Sequence, residues 1–215
     1  MEREILRAGR RQLAERGAAA LSLREVARDL GVASSAVYRY VDSRDALLTL
    51  LLVDAHTDLA DAVDGRLERL GTSAGGERKL RCLAHAMFDW ARENRAQWAL
   101  VHGSPVPGYH APAEETGEAG TRIMGRLLDI ASSGTPRAAT TGPEYEAFLE
   151  DGASQLGSQA TLAQAAAVVR ARALIIGTVT MIVFDQIGPE PLADIAIGKA
   201  ALDDAVRAAA SDLGL

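Results

Sequence analysis

From Leu48 onward an apolar residue recurs every three or four positions: Leu48, Leu52, Ala55, Leu59, Val63, Leu67 and Leu70. That spacing keeps one stripe on one face of an α-helix for over six turns, and a strand of period two cannot use it. No strand-like alternation of any length appears elsewhere. Alanine fills 41 of 215 positions and aromatics only 4%. Alanine leads the helix propensity scale and aromatics favour strands, so composition agrees with periodicity. The fold class read from the chain is all-α, with about nine helices. At 48% hydrophobic and 24% charged residues it is a globular composition, which excludes disorder, collagen and a coiled-coil fibre.

Breaks divide the chain. Ile5, Leu6, Gly9 and Leu13 share a helical face, with Gly17 at the expected C-terminal cap. Ser22-Leu23-Arg24-Glu25 reads as a capping box, the Ser22 hydroxyl accepting from the Glu25 backbone N–H while Glu25 reaches back. That helix carries Val26, Ala27 and Leu30 and stops at Gly31. A short one follows from about Ser34 to Val41, and Asp42-Ser43 opens the long one near Arg44. Gly71–Gly76 breaks it. Further helices are expected over about 80–94, around Trp98–Val101, over 114–131 and 144–155. The proline-rich 103–113 and the 132–142 stretch are loops. A very apolar helix over 160–187 ends at Gly188-Pro189-Glu190-Pro191, and a last one carries Leu192, Ile195, Leu202, Val206, Ala210 and Leu213 on one face.

Two short helices joined across Gly31 and followed directly by a third match the helix-turn-helix pattern. The second of the pair would present Ala33, Ser34, Ser35, Ala36, Tyr38, Arg39 and Tyr40 outward. Small and polar side chains allow approach to base edges in the major groove. Arginine pairs with guanine O6 and N7, and serine bonds several bases. Tyrosine hydroxyls and Arg44 suit phosphate oxygens. Charge leans the same way: residues 1–50 hold nine arginines and seven acids, whereas the remainder holds 14 basic and 22 acidic residues. The candidate DNA-contacting residues are Ser22, Arg24, Ser34, Ser35, Tyr38, Arg39, Tyr40 and Arg44.

Leu21–Val32 followed by Val37-Tyr38-Arg39-Tyr40-Val41-Asp42-Ser43-Arg44-Asp45-Ala46-Leu47-Leu48 resembles the DNA-binding domain of TetR-family repressors, over about residues 3–52. By that resemblance Tyr38, Tyr40 and Arg44 hold phosphates, Arg44 occupying the family's usual lysine position. Tyr40 replaces a frequent histidine and Asp42 a frequent proline. Residues 98–112, beginning Trp98-Ala99-Leu100-Val101-His102-Gly103, resemble a loop of an actinobacterial TetR subfamily whose C-terminal domain is named for a Trp-His-Gly motif. In that subfamily the motif falls on the penultimate long helix, where this chain has Arg172, Ile176 and Gly177. The resemblance implies residues 1–46 as a helix-turn-helix DNA-binding domain and 47–215 as a ligand-binding and dimerisation domain.

The expected function is thus a sequence-specific regulator, a ligand-released repressor binding a near-palindromic operator in double-stranded DNA as a homodimer through the last two long helices. The competing reading is an all-α ligand-binding or scaffold protein whose head does not read sequence. Met87, Phe88, Trp98, Tyr109, Met124, Met181, Phe184 and Asp185 are candidates to line a site for a small apolar or amphipathic effector, an acid such as Asp185 needing a partner if buried. His102 and His110 bracket the proline loop. Cys82 and His85, three apart, are two ligands and no metal site, so no metal and no cofactor are expected. No nucleophile, base and orienting group assemble, and Gly71–Gly76 lacks the Lys-Ser/Thr of a P-loop, so an enzyme is not expected. One cysteine makes no internal disulfide, Met1–Ile5 lacks an apolar h-region, and the most apolar run, Ala173–Phe184, is 12 residues. A cytoplasmic chain without a membrane partner is the expectation.

Overall fold

A computed structural model of the chain describes residues 1–103, 106–136, 142–188 and 194–215. It holds ten α-helices and no strand among these residues. They are α1 (Glu2–Arg16), α2 (Leu23–Asp29), α3 (Ser34–Tyr38), α4 (Arg44–Leu70), α5 (Gly76–Glu93), α6 (Arg95–His102), α7 (Ala113–Ala131), α8 (Pro143–Gln155), α9 (Leu162–Val183) and α10 (Ile195–Leu213). A single 3₁₀ turn, Ala18–Ala20, joins α1 to α2.

Two compact units divide the chain: Met1–Leu59 with Glu93–Gly120, and Ala60–Arg92 with Thr121–Leu215. In the first, Ile5 and Ala8 of α1, Val26 and Ala27 of α2, Val37 of α3 and Leu47, Leu48 and Leu51 of α4 form one buried cluster. Leu100, Val106 and Tyr109 pack against it, so α6 and the loop after it belong to the head's core. The Tyr109 hydroxyl meets the hydroxyl of buried Thr49 at 3.0 Å. Ser43 starts α4, its hydroxyl accepting from the Ala46 backbone N–H at 3.0 Å.

In the second unit α9 packs on α10. Ala167, Val168, Ala171, Ile175 and Val179 are buried on α9, and Leu202, Ala205, Val206, Ala209 and Leu213 on α10. Small residues on both let the helices approach closely. Arg170 binds Asp212 in fork geometry, Nε and Nη2 donating to the two carboxylate oxygens at 2.7 and 3.0 Å. Thr161 and Gln164 form a reciprocal capping box at the start of α9.

Several boundaries differ from expectation. α3 ends at Tyr38; the chain then turns once more, with the Tyr40 and Val41 N–H groups both donating to the Val37 carbonyl. α9 runs over Leu162–Val183, not 160–187. As a helix it is 22 residues long and by length and composition could cross a bilayer, which counting the 12-residue apolar run alone had missed. The expected start of the last helix at Leu192 lies outside the described residues.

Candidate nucleic-acid interface

Leu30-Gly31-Val32-Ala33 joins α2 to α3. Gly31 sits at φ 67°, a left-handed conformation that side chains resist, and its N–H donates to the Arg28 carbonyl at 3.1 Å. Val32 N–H reaches back to the Ala27 carbonyl at 3.0 Å. This reversal buries Val37 against Val26 and Ala27 in the head cluster. Val37 is the only buried residue of α3. The remainder of α3 and the turn after it therefore face outward: Ser35, Tyr38, Arg39 and Tyr40 are exposed, Ser34 and Ala36 half-buried. Tyr38 and Tyr40 retain 44% and 57% of their accessible surface, which is high for aromatic rings in a chain this poor in them.

Beside α3 lies a cleft of about 350 Å³ lined by Leu21, Ser22, Leu23, Arg24, Tyr38 and Arg44. Four of the eight expected contact residues converge there, from the start of α2, the end of α3 and the start of α4. An arginine, two hydroxyls and a second arginine around one depression are donors suited to a phosphate oxygen.

Two expected local features take other forms. The capping box at Ser22 is not made. The Ser22 backbone N–H donates to Gln12 Oε1 at 3.1 Å, and Glu25 pairs instead with Arg16 and with Arg28 at 3.4 Å. Glu25 is drawn away because two cations are within its reach. Arg44 is partly spent on the fold, its Nη2 donating to the carbonyls of Ala18 and Ala19 at 3.1 and 3.3 Å. These carbonyls belong to the 3₁₀ turn, so Arg44 ties that turn to α4 while lining the cleft. Gln12 was missed: it is 1% exposed on the apolar face of α1. A polar residue interrupting the Ile5–Leu13 stripe was the available signal.

The expected effector residues occupy the following positions. Met87 and Phe88 are buried on α5, and Trp98 on α6. Trp98 meets the His102 ring edge-on with centroids 4.3 Å apart. Tyr109 is engaged with Thr49, and Met124 is half-buried on α7. Met181 is exposed, on the outer side of α9 with Leu174. Because α9 stops at Val183, Phe184 and Asp185 fall in the turn beyond it. Asp185 is exposed at φ 55°, so the idea of an acid buried at a helix end does not hold. His110 is exposed. His85 Nε2 lies 2.8 Å from Asp203 Oδ1, and the Cys82 thiol lies 3.6 Å from the Arg66 carbonyl. Burial pushes that thiol's pKa up, against the lowering effect of the nearby Arg66, Arg69 and Arg78.

A three-helix head with a left-handed turn glycine and an outward-facing second helix, continued by an all-helical body, is the architecture of a helix-turn-helix protein. Residues 80–208 match the family described as tetracyclin repressor-like, C-terminal domain, and residues 5–51 match the bacterial regulatory proteins of the tetR family. The chain belongs to the TetR family. The HTH-type transcriptional regulators Rv1816 of Mycobacterium tuberculosis and Mb1846 of Mycobacterium bovis are each 52% identical to it over 134 residues. That match takes in 62% of this chain and 57% of each relative, little over half their length. Among solved structures, regulatory protein SCO4313 superposes with a TM-score of 0.74 at 28% identity, covering 95% of this chain and 94% of that one. FadR from Bacillus subtilis, solved in complex with stearoyl-CoA, shares the fold with a TM-score of 0.55 at 17% identity, covering all of both chains.

Proposed function

We propose that this chain is a sequence-reading transcriptional regulator of the cytoplasm that binds a near-palindromic operator as a homodimer and is released by a small amphipathic effector. The observation that carries the reading is the outward face of α3: one buried valine, and around it Ser34, Ser35, Tyr38, Arg39 and Tyr40 turned away from the core. Arg39 is the base reader. Arg24, Tyr38 and Arg44 hold phosphates around the adjacent cleft, with Ser22 at its edge, while Ser34 and Ser35 bond bases or backbone.

One further observation supports the dimer. Leu174 and Met181 of α9 and Ile195 and Ile197 of α10 keep 39–45% of their surface exposed. Large apolar side chains exposed on both helices are better explained by a second copy than by solvent. Residues 1–46 serve as the DNA-binding part and 47–215 as the ligand-binding and dimerising part, with α4 running through that boundary as one uninterrupted helix. An effector bound in the C-terminal part shifts DNA affinity only by its preference for the conformation that does not fit the operator. FadR of Bacillus subtilis, solved in complex with stearoyl-CoA, supports an amphipathic effector in this reading.

The test is a salt titration of binding to random-sequence duplex DNA by fluorescence anisotropy. Replacing one phosphate-holding cation, Arg24→Ala, should lower the slope of log K against log salt by about 1. An unchanged slope would remove Arg24 from the interface.

A further inference from the structure

The second unit contains a cleft of about 510 Å³ whose walls come from α4, α5 and α7. Its apolar surface includes Leu67 of α4 and Ile130 of α7, and Ile130 is buried. The charged side chains are distributed unequally. Asp64 and Glu68 stand on the α4 wall, Lys79 on the α5 wall, and Arg126 and Asp129 on the α7 wall. Some of these charges are already satisfied. Arg126 donates to both Asp64 oxygens at 2.7 and 3.3 Å, and its remaining nitrogen lies 3.5 Å from Asp129. Arg122 adds a further hydrogen bond to Asp64 at 2.8 Å.

The side chains of Glu68 and Lys79 have no hydrogen bond or ion pair among the described residues, although both residues line the cleft. One unmatched carboxylate on one wall, one unmatched ammonium on another and an apolar surface shared by the cleft define a complementary molecule. Its volume lies within the range of small-molecule sites, which are commonly apolar with a few polar anchors. We propose that this cleft binds an amphipathic zwitterion of the size of an apolar dipeptide, its ammonium on Glu68, its carboxylate on Lys79 and its side chains on Leu67 and Ile130. Neither charge alone suffices as an anchor, because a half-exposed ion pair contributes little by itself. The matched pair Asp64–Arg126 clamps the α4 wall to the α7 wall and is not displaced. The site needs no DNA, so it stands independently of the operator reading.

The experiment is calorimetric titration of the full chain with leucyl-leucine, with its N-acetyl form, which keeps only the negative charge, and with its C-terminal amide, which keeps only the positive. The zwitterion should bind about fivefold more tightly than either single-charge analogue, the worth of one half-exposed ion pair. Glu68→Gln should lower affinity for leucyl-leucine by about fivefold and leave the N-acetyl peptide unaffected; Lys79→Met should spare the amide in the same way. Thermal melting of both variants should match the parent, since neither side chain is in the core. Equal binding of all three peptides, no binding of leucyl-leucine, or identical titrations for parent and both variants would overturn the proposal.

Discussion

Asp64→Asn measures the clamp between α4 and α7. The Asp64 side chain is 16% exposed and accepts from Arg126 at 2.7 and 3.3 Å and from Arg122 at 2.8 Å. The hydrogen bond from Arg126, more than that from Arg122, holds its carboxyl below the usual carboxylate range against the opposing effect of burial. Charge-assisted hydrogen bonds contribute roughly 1.5–3 kcal/mol when shielded. The arginines are 33% and 47% exposed, which reduces that, and Arg122 keeps a second acid in Asp61 at 2.8 Å. Asparagine retains the shape and one acceptor, so the expected loss is about 1–2 kcal/mol at neutral pH. Since the folded-state pKa is depressed, the contribution is fully present above the unfolded value of about 4 and disappears as pH falls through the lower folded value. Urea unfolding of parent and variant should therefore differ by a constant amount between about pH 5 and 8 and draw together progressively as pH falls below about 4. A difference under about 0.5 kcal/mol at pH 7, or one that persists unchanged in acid, would refute the clamp.

Other outcomes follow from the same structure. Arg39→Ala should cost about 1–3 kcal/mol of operator affinity and relax preference at one base pair; an equal loss on scrambled duplex would remove its base-reading role. Tyr109→Phe deletes the hydroxyl that meets Thr49 and should lower stability by about 1 kcal/mol in chemical denaturation. Gly134→Ala would place a Cβ 2.2 Å from the Leu213 carbonyl oxygen, a clash with backbone. It should destabilise by more than about 2 kcal/mol, and a melting temperature within a degree of the parent would count against that packing.

The long helices were legible because each carries one stripe over many turns: α4 begins at Arg44 and ends at Leu70, as its leucine spacing and flanking breaks indicate. The outward face of α3 was legible because Val37 stands among small and polar residues, although the helix ends at Tyr38 and not at Val41. What escaped depends on competition between distant partners. Nothing near Ser22 in sequence says that Gln12 will take its N–H, or that Arg16 will draw Glu25 away. The Tyr109–Thr49 contact joins residues 60 apart, so proline-rich residues 103–113 read only as a loop, whereas Val106 and Tyr109 pack into the head. Apolar residues at helical spacing do not separate an effector site from core, because the same spacing marks core packing. Met87 and Phe88 went into the core, and Met181 to the outside of α9. The α4–α5–α7 cleft depends on which of several charges find one another, and only the three-dimensional arrangement reveals that.

Selection of bound sequences from a random duplex pool by the purified full chain, at about physiological salt where binding driven by counterion release is suppressed, tests most directly whether the head reads sequence. A two-fold symmetric motif whose half-sites lie about one helical turn apart, or a multiple of it, is the result expected of two α3 helices entering major grooves on one face of the duplex. Recovery of no enriched motif, from protein shown to be folded and free of bound ligand, would contradict a head that reads sequence.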